Sequence, residues 1–311
     1  MRSGRQGCDG TERSSVVTPT PQTSNEFIEQ QLDNRAQALT QEFDADILGF
    51  NGTLFLGVDD LVRKVVESMK QKPNLRRKLV VVLTTPGGYI EVVQRIVDTF
   101  RHHYEIVDFV VPNYALSAGT VLVMSGDAIH MNYYSRLGPI DPQVETPRGR
   151  AVSALGYLVQ WERLLEKAKK GDLTTVEAQL MITGFDQGEL YQFEQARELS
   201  ITLLKEWLTK YKFKNWRVTE TRKKKVTKRM RTDRAEEIAR QLNTPDKWHS
   251  HSAGISMEVL RRDLNLLIDN FDENPDVGAK IKDYHSLLDD YMMRRANKGV
   301  LHALGQYVPF E

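Results

Sequence analysis

The chain has 311 residues, 40% of them hydrophobic and 27% charged, which are the proportions of a folded protein with a sizeable core. A formal net charge of +1 provides no overall attraction to nucleic acid or to a membrane surface. One cysteine, Cys8, excludes an intrachain disulfide, and no apolar run approaches the roughly 20 residues of a membrane span. The first residues also lack the apolar stretch of a secretory signal. We therefore expect a cytoplasmic protein.

Residues 1–25 are polar and contain glycine and proline, which predicts a disordered tail. Short β-branched runs and segments of helical periodicity then alternate. The runs 47–50 and 54–56 predict a first strand, or a hairpin around Asn51-Gly52. The other expected elements are helix 27–43, helix 58–69, strand 79–83, helix 90–100, strand 106–111, helix 118–125 and strand 128–131. This alternation predicts a parallel sheet with crossover helices, an α/β core over residues 26–150.

The chain changes character over residues 151–311, where long segments of helical periodicity replace the strands. Helices are expected at residues 152–170, 176–182, 190–212, 234–242, 257–268 and 281–295. The core needs fewer helices than these, so we expect an extension that completes the core and makes contacts in a homo-oligomer. The basic stretch Arg222–Arg231 is followed by acidic residues and has no interleaved aromatic side chains. A solvated helix or loop is favoured there over nucleic-acid binding.

Two turns at strand ends carry the residues best suited to chemistry. One strand stops at a Thr-Pro-Gly-Gly turn, residues 85–88, and another stops shortly before Ser117, where a helix begins at Ala118. We expect both turns to face one crevice, which places a hydroxyl beside flexible backbone N–H groups. Acyl transfer requires this pairing, so Ser117 is the candidate nucleophile. The alternative is a serine that only caps the helix, or an inactive relic.

Three ordered motifs carry a resemblance to a known family. They are Thr-Pro-Gly-Gly at 85–88, Ser-Ala-Gly-Thr at 117–120 and Leu-Gly-Pro-Ile-Asp-Pro-Gln at 137–143. With these motifs the chain resembles the serine dehydrogenase proteinase family, part of the Clp protease/crotonase superfamily and related to signal peptide peptidase A. The resemblance covers roughly residues 45–145, with a weaker echo at 248–267. It implies a Clp protease/crotonase-like fold and a serine protease or peptidase acting on a protein or peptide.

The resemblance also implies an oxyanion hole. In the family the glycine turn lies beside the serine and donates a backbone N–H, which here assigns that role to Gly87 and Gly88. Ala118 is the expected second donor. Glycine suits the position because a side chain would block the approach of a substrate carbonyl. The alternative is a plain turn in which the backbone needs a positive φ.

The general base is harder to assign. Clp proteases have a histidine on the strand after the serine helix, but the corresponding position here falls at Ile140-Asp141. His130 lies earlier, within an expected strand, where a structural histidine is more common. The loop that supplies the acid in Clp proteases corresponds here to residues 248–256, which contain His251. We expect His251 as the base, oriented by Asp141.

Two other assignments stay open. A lysine replaces the histidine in signal peptide peptidase A, and Lys167, Lys169 and Lys170 lie at a plausible distance along this chain. Their helix has the spacing of a solvated face, whereas a lysine base needs apolar surroundings. The histidines of the 248–256 loop are alternatively ordinary loop residues, and Asp141 alternatively only caps its own turn.

The leading hypothesis is a cytoplasmic, homo-oligomeric serine peptidase that acts through an acyl-enzyme on Ser117. No phosphate-binding loop is present, so any regulatory or ATPase partner would be a separate protein. We expect no cofactor, and seven histidines without a Cys/His cluster predict no metal site. The alternatives are a crotonase-like acyl-CoA enzyme, which uses carboxylates instead of a serine, and a non-catalytic assembly protein on a protease fold.

Overall fold

A computed structural model describes residues 23–71, 76–140, 143–145, 151–219, 221–244, 248 and 254–310. The helices of these residues are α1 (Ser24–Phe43), α2 (Val58–Met69), α3 (Ile90–His103), α4 (Ala118–Met124), α5 (Ala154–Lys170), α6 (Thr175–Gly184), α7 (Gln187–Trp207), α8 (Lys228–Leu242), α9 (Met257–Leu264) and α10 (Pro275–Arg294). The strands are β1 (Asp46–Asn51), β2 (Lys78–Thr84), β3 (Ile106–Val110), β4 (Tyr114–Ala115), β5 (Ala128–Met131), β6 (Arg136–Leu137), β7 (Gln143–Glu145), β8 (Ala151–Ser153), β9 (Ile255–Ser256), β10 (Asp269–Asn270), β11 (Gly299–Ala303) and β12 (Gln306–Phe310).

The central sheet has seven strands, in the order β10-β5-β3-β2-β1-β11-β12. The five strands from β10 to β1 are parallel to one another. The strand β11 lies antiparallel beside β1, and β12 lies antiparallel beside β11. The α/β class with a mainly parallel sheet, predicted from the alternation of strands and helices, is therefore confirmed.

Helices cover both faces of this sheet, because successive residues of a strand point to opposite sides. On β2, Leu79 and Val81 face a core shared with α2, α3, α4, α7 and α8. Val80 and Val82 face a second core shared with α1 and α10. Burial on both faces explains why β2 is a continuous apolar run from Leu79 to Leu83 and why β3 is apolar except for Asp108.

Three expectations about individual elements need correction. Of the two alternatives for residues 47–56, the first strand forms as β1, whereas the hairpin around Asn51-Gly52 does not, since Leu54 makes an isolated parallel bridge with Gly88. The helix that contains Arg231 begins at Lys228, six residues before its expected start. Finally, β11 and β12 were not predicted, although they add two strands to the main sheet.

The region after residue 150 has two parts. The last strands and α10 pack into the core shared with α1, and β11 pairs with β1. By contrast, α5 and α7 enclose a small separate core around Leu158, Leu190 and Phe193. The basic stretch begins in a turn closed by a bridge between Val218 and Lys225 and continues into α8. Among the helices that the structure describes, none is long and apolar enough to cross a membrane.

Candidate active site

Backbone pairing brings the two predicted turns together. The Thr85 N–H donates to the Tyr114 carbonyl at 3.0 Å, and the Leu116 N–H donates to the Thr85 carbonyl at 3.0 Å. These bonds join the end of β2 to β4, so the Thr-Pro-Gly-Gly turn that follows β2 lies beside the serine that follows β4. The two expected turns therefore lie side by side at the carboxyl edge of the sheet.

The approach of the two turns is so close that it requires glycine. A Cβ atom at Gly87 would lie 2.6 Å from the Leu116 carbonyl oxygen and 2.8 Å from the Ser117 Cβ. Gly87 also has a φ of +104°, a conformation that side chains disfavour. At Gly88, with a φ of +149°, a Cβ would lie 2.1 Å from the Leu54 carbonyl oxygen. Both glycines are thus required by space as well as by conformation.

Ser117 has an unusual backbone. Its φ of 52° and ψ of −122° place a residue with a side chain in a region that costs about 1–3 kcal/mol. Although it occupies the position before α4, its side chain makes no capping hydrogen bond to that helix. The residue is 1% exposed. A serine present only as a helix cap would have the opposite properties, namely an extended backbone and a capping bond.

The N–H groups around Ser117 differ in their partners. The Gly87 N–H donates to Thr85 Oγ1 at 3.1 Å. The hydrogen bonds between described residues include none from the Gly88 N–H or from the Ala118 N–H. Ala118 is the first residue of α4, and the first residues of a helix have no acceptor inside it. Two donors beside a serine are the elements of an oxyanion-binding site.

A buried threonine on α4 connects the turn around Ser117 to the loop after β6 through hydrogen bonds. Thr120 is fully buried, and its Oγ1 lies 2.8 Å from the Ala115 carbonyl oxygen and 2.9 Å from that of Gly138. The Gly138 N–H donates to the same Oγ1 at 3.0 Å. The sequence showed Thr120 within the Ser-Ala-Gly-Thr motif but gave no reason to assign it these contacts.

Both residues expected to complete a triad, Asp141 and His251, lie outside the described residues. The described residues next to them are held by backbone hydrogen bonds, one to the end of α8 and one to β6, which lies beside β4. Ile140, just before Asp141, donates its N–H to the Leu242 carbonyl at 3.0 Å. Ile255, four residues after His251, pairs with Leu137 on β6, and β6 pairs with β4.

The lysine alternatives lie on an exposed part of α5. Lys167 is paired with Glu177 at 2.5 Å and Lys169 with Glu166 at 3.0 Å. Lys170 is likewise exposed. These settings are well solvated, whereas a lysine base must be desolvated to lose its proton near neutral pH.

His130 belongs to a charged cluster on β5, between β3 and β10. Its ring nitrogens lie 3.7 Å from carboxylate oxygens of Asp108 and Asp269. Burial would raise the pKa of Asp108, but the nearby His130 ring and the Lys78 ammonium at 2.6 Å outweigh it and lower that pKa to about 2. This environment fits the structural role expected for His130. Among the described residues, no group of three or more His, Cys, Asp or Glu side chains is placed to hold a metal ion.

Near this cluster, Lys212 shows the opposite result, because burial outweighs the effect of the neighbouring charges on its pKa. Burial lowers the pKa of Lys212 to about 8, although Asp269, Asp108 and Asp127 act to raise it. Lys212 ends a π-helical turn, Leu208–Lys212, that follows α7. Lys212 is partly buried as a residue and the neighbouring Lys210 is exposed, so the sequence carries no sign that the Lys212 amine is enclosed.

Comparison with known proteins supports the family resemblance. Residues 28–160 match the sequence pattern of a family described as ClpP-like SDH-type serine proteinases, which confirms the resemblance over that part of the chain. Two curated relatives are uncharacterized proteins of Methanocaldococcus jannaschii. One is 30% identical over 86 residues, covering 28% of this chain and 28% of the relative. The other is 25% identical over 118 residues, covering 38% of this chain and 40% of the relative. The matches thus span less than half of either relative.

Similar solved structures include two variants of the 1510-N membrane-bound stomatin-specific protease. One has a TM-score of 0.41 at 12% identity and covers 71% of this chain and 76% of that one. The other, in complex with a substrate peptide, has a TM-score of 0.43 at 14% identity and covers 84% of each chain. ClpP1 from Listeria monocytogenes has a TM-score of 0.39 at 14% identity and covers 76% of this chain and 98% of its own.

Proposed function

We propose that this protein is a serine peptidase with Ser117 as its nucleophile. The observation that carries the proposal is the strained backbone of Ser117, which makes no capping bond and lies against a glycine turn. Strain of this size persists only where the surrounding structure maintains it, and it concentrates at functional sites. The sequence match over residues 28–160 supports the same chemistry.

In the proposed reaction, Ser117 Oγ attacks the carbonyl carbon of a peptide bond while a general base takes the hydroxyl proton. Backbone N–H groups of Ala118 and of the Gly87–Gly88 turn bind the oxyanion. Gly88 is the better donor in that turn, since the Gly87 N–H already donates to Thr85. The C–N bond then breaks, the base returns its proton to the leaving amine, and an acyl ester remains on Ser117. Water hydrolyses this ester and regenerates the hydroxyl.

For the base we propose His251, oriented by Asp141. Support comes from the described residues that flank them, since Ile140 is bonded to the end of α8 and Ile255 is paired with β6. Four fully extended residues span at most about 14 Å. The short segment between Ile255 and His251 therefore limits how far His251 can lie from β4, the strand that precedes Ser117. The solvated lysines of α5 lack the surroundings that a base requires.

The experiment that tests the nucleophile is labelling with a fluorophosphonate probe. We expect the wild-type protein to be labelled and the modified peptide to contain Ser117, while Ser117→Ala abolishes labelling and peptide hydrolysis. Ser200→Ala removes an equally buried hydroxyl on α7, so it is the matched control and should label normally. Absence of labelling in folded wild-type protein would instead support a non-catalytic assembly protein.

We also propose a cytoplasmic homo-oligomer. The small separate core of α5 and α7, outside the two main cores, supports the expectation that this region serves contacts between subunits. Light scattering tests the assembly directly, and a mass of 35.7 kDa at micromolar concentration would contradict it.

A further inference from the structure

We propose that Thr120 is a positioning residue, whose hydroxyl holds Ser117 in its strained conformation and couples it to the loop that leads to Asp141. The proposal rests on the proposed function, because it concerns how the nucleophile is held. It gives a role to a residue that belongs to the Ser-Ala-Gly-Thr motif but to which the sequence assigned none.

The first part of the argument is the ring that the Thr120 hydroxyl closes. Its bond of 2.8 Å to the Ala115 carbonyl joins the last residue of β4 to the third residue of α4. Only four residues lie between the two partners, and Ser117 is one of them. The φ of 52° at Ser117 therefore lies inside a hydrogen-bonded ring. Such a closure is what a strained residue needs, since the strain must be maintained by bonds on both sides.

The second part is the attachment to Gly138. The Gly138 N–H donates to Thr120 Oγ1 at 3.0 Å, and the Gly138 carbonyl lies 2.9 Å from the same oxygen. A hydroxyl has one proton and two lone pairs, so it accepts from Gly138 and shares its proton between the Ala115 and Gly138 carbonyls. Gly138 lies three residues before Asp141. One buried hydroxyl thus fixes the nucleophile turn and the start of the next loop relative to each other.

The third part is that the packing leaves no room for a water molecule to replace the Thr120 hydroxyl. A Cβ at Gly138 would lie 3.0 Å from the Leu116 Cα, so the loop already touches the residue before Ser117. Thr120 is fully buried. Water therefore has no access to replace the hydroxyl if it is removed, and the carbonyl groups must rearrange or stay without it.

The test compares Thr120→Val, which keeps the shape of the side chain, with Thr120→Ser, which keeps the hydroxyl. We expect Thr120→Val to lower both kcat and the rate of fluorophosphonate labelling by about 10- to 100-fold with KM nearly unchanged, because small displacements of reacting groups have effects of that size. Thr120→Ser should recover activity to within about threefold, since the hydroxyl is retained.

Ser125→Ala is the matched control. It removes a buried hydroxyl bonded to the Leu122 carbonyl at 2.6 Å, next to the other end of α4, and should leave kcat unchanged.

Hydrogen–deuterium exchange provides a readout that does not depend on activity. In Thr120→Val the peptide covering residues 113–121 should exchange faster, while a peptide from α3 should not.

Should Thr120→Val fail to fold, Thr120→Ala avoids crowding by the second valine methyl group and is measured in the same way. Normal labelling of Thr120→Val, equal losses in Thr120→Val and Ser125→Ala, or unchanged exchange over residues 113–121 would overturn the proposal. If the wild-type protein is not labelled, the proposed function fails, and the exchange measurement still decides whether Thr120 holds this turn.

Discussion

The two ends of the parallel strands are built in different ways. At the carboxyl ends, the turns at residues 85–88 and 116–120 contain no charged side chain, and three of their residues have a positive φ. At the amino ends, charges are dense, and the one positive φ among the described residues there, at Asp44 before β1, is the ordinary left-handed end of α1. Asp127 accepts from the Val107 N–H and from Arg101 and is paired with Lys214, while Asp108 is paired with Lys78 at 2.6 Å.

The two edges therefore contribute differently to the free energy of folding. Strained backbone at the carboxyl edge costs stability and presents a hydroxyl and N–H groups to a substrate. Ion pairs and hydrogen bonds at the amino edge connect β2, β3, β5 and α3 and present nothing to a substrate. Substitutions at the carboxyl edge should therefore change activity more than stability, and substitutions at the amino edge should do the reverse.

The largest effect on activity, after loss of the nucleophile itself, is expected from the base. His251→Ala should lower kcat by about 100- to 10,000-fold, the usual contribution of a general base. The wild-type activity should rise through roughly pH 6–7, because the imidazole must lose its proton to act as a base. His249→Ala is the matched control from the same loop and should keep that pH profile. Equal activity of the two variants would remove His251 from the site.

The next effect concerns the glycine turn. Gly87→Ala should lower kcat by about 100-fold, because the new Cβ would lie 2.8 Å from the Ser117 Cβ and displace it. Gly57 also has a positive φ, +100°, but a Cβ there meets nothing within 4 Å. Gly57→Ala should therefore cost only about 1 kcal/mol in unfolding free energy and leave kcat unchanged. If both variants lose activity equally, the close approach to Ser117 has no special role.

At the amino edge, Lys212 should give stability a pH dependence. Its pKa is about 8 in the folded protein and near 10.5 when exposed, so the unfolded state holds this proton to a higher pH. The free energy of unfolding should therefore gain up to about 3 kcal/mol between pH 8 and pH 10.5 from this residue. Chemical denaturation of the wild type and of Lys212→Met across that range measures the difference, with the exposed Lys210→Met as control. Parallel curves for Lys212→Met and the wild type would contradict the burial of this amine.

The smallest effect is expected at α5. Lys167→Met, Lys169→Met and Lys170→Met should each change kcat by less than about twofold, because exposed ion pairs contribute little. A loss of activity in any one of them, with the fold intact, would revive the lysine alternative and weaken the contrast between the two edges.

Much of the core was predictable from the sequence because its signals are local. The strand β2 is a continuous apolar run and β3 is apolar except for Asp108, and the turns after these runs pointed to Ser117 and to the glycines. The outlying φ of Ser117 was not predictable, since it depends on bonds that Thr120 makes to residues on both sides. The burial of Lys212 likewise depends on residues far away in sequence. The strand β12 contains Pro309, which weakens its strand pattern but is tolerated at a sheet edge.

The pairing of β1 with β11 also bears on how the protein forms during synthesis. Asn51 lies opposite Val300, so the middle of the sheet joins residues from distant parts of the chain. A ribosome must release nearly the whole of this sequence before β1 can gain its second neighbour. Contacts of such long sequence separation slow folding and leave an apolar strand edge exposed in the nascent chain. The stretch from 28 to 160 is consequently only part of a folding unit, and expressing it alone should give an aggregating fragment.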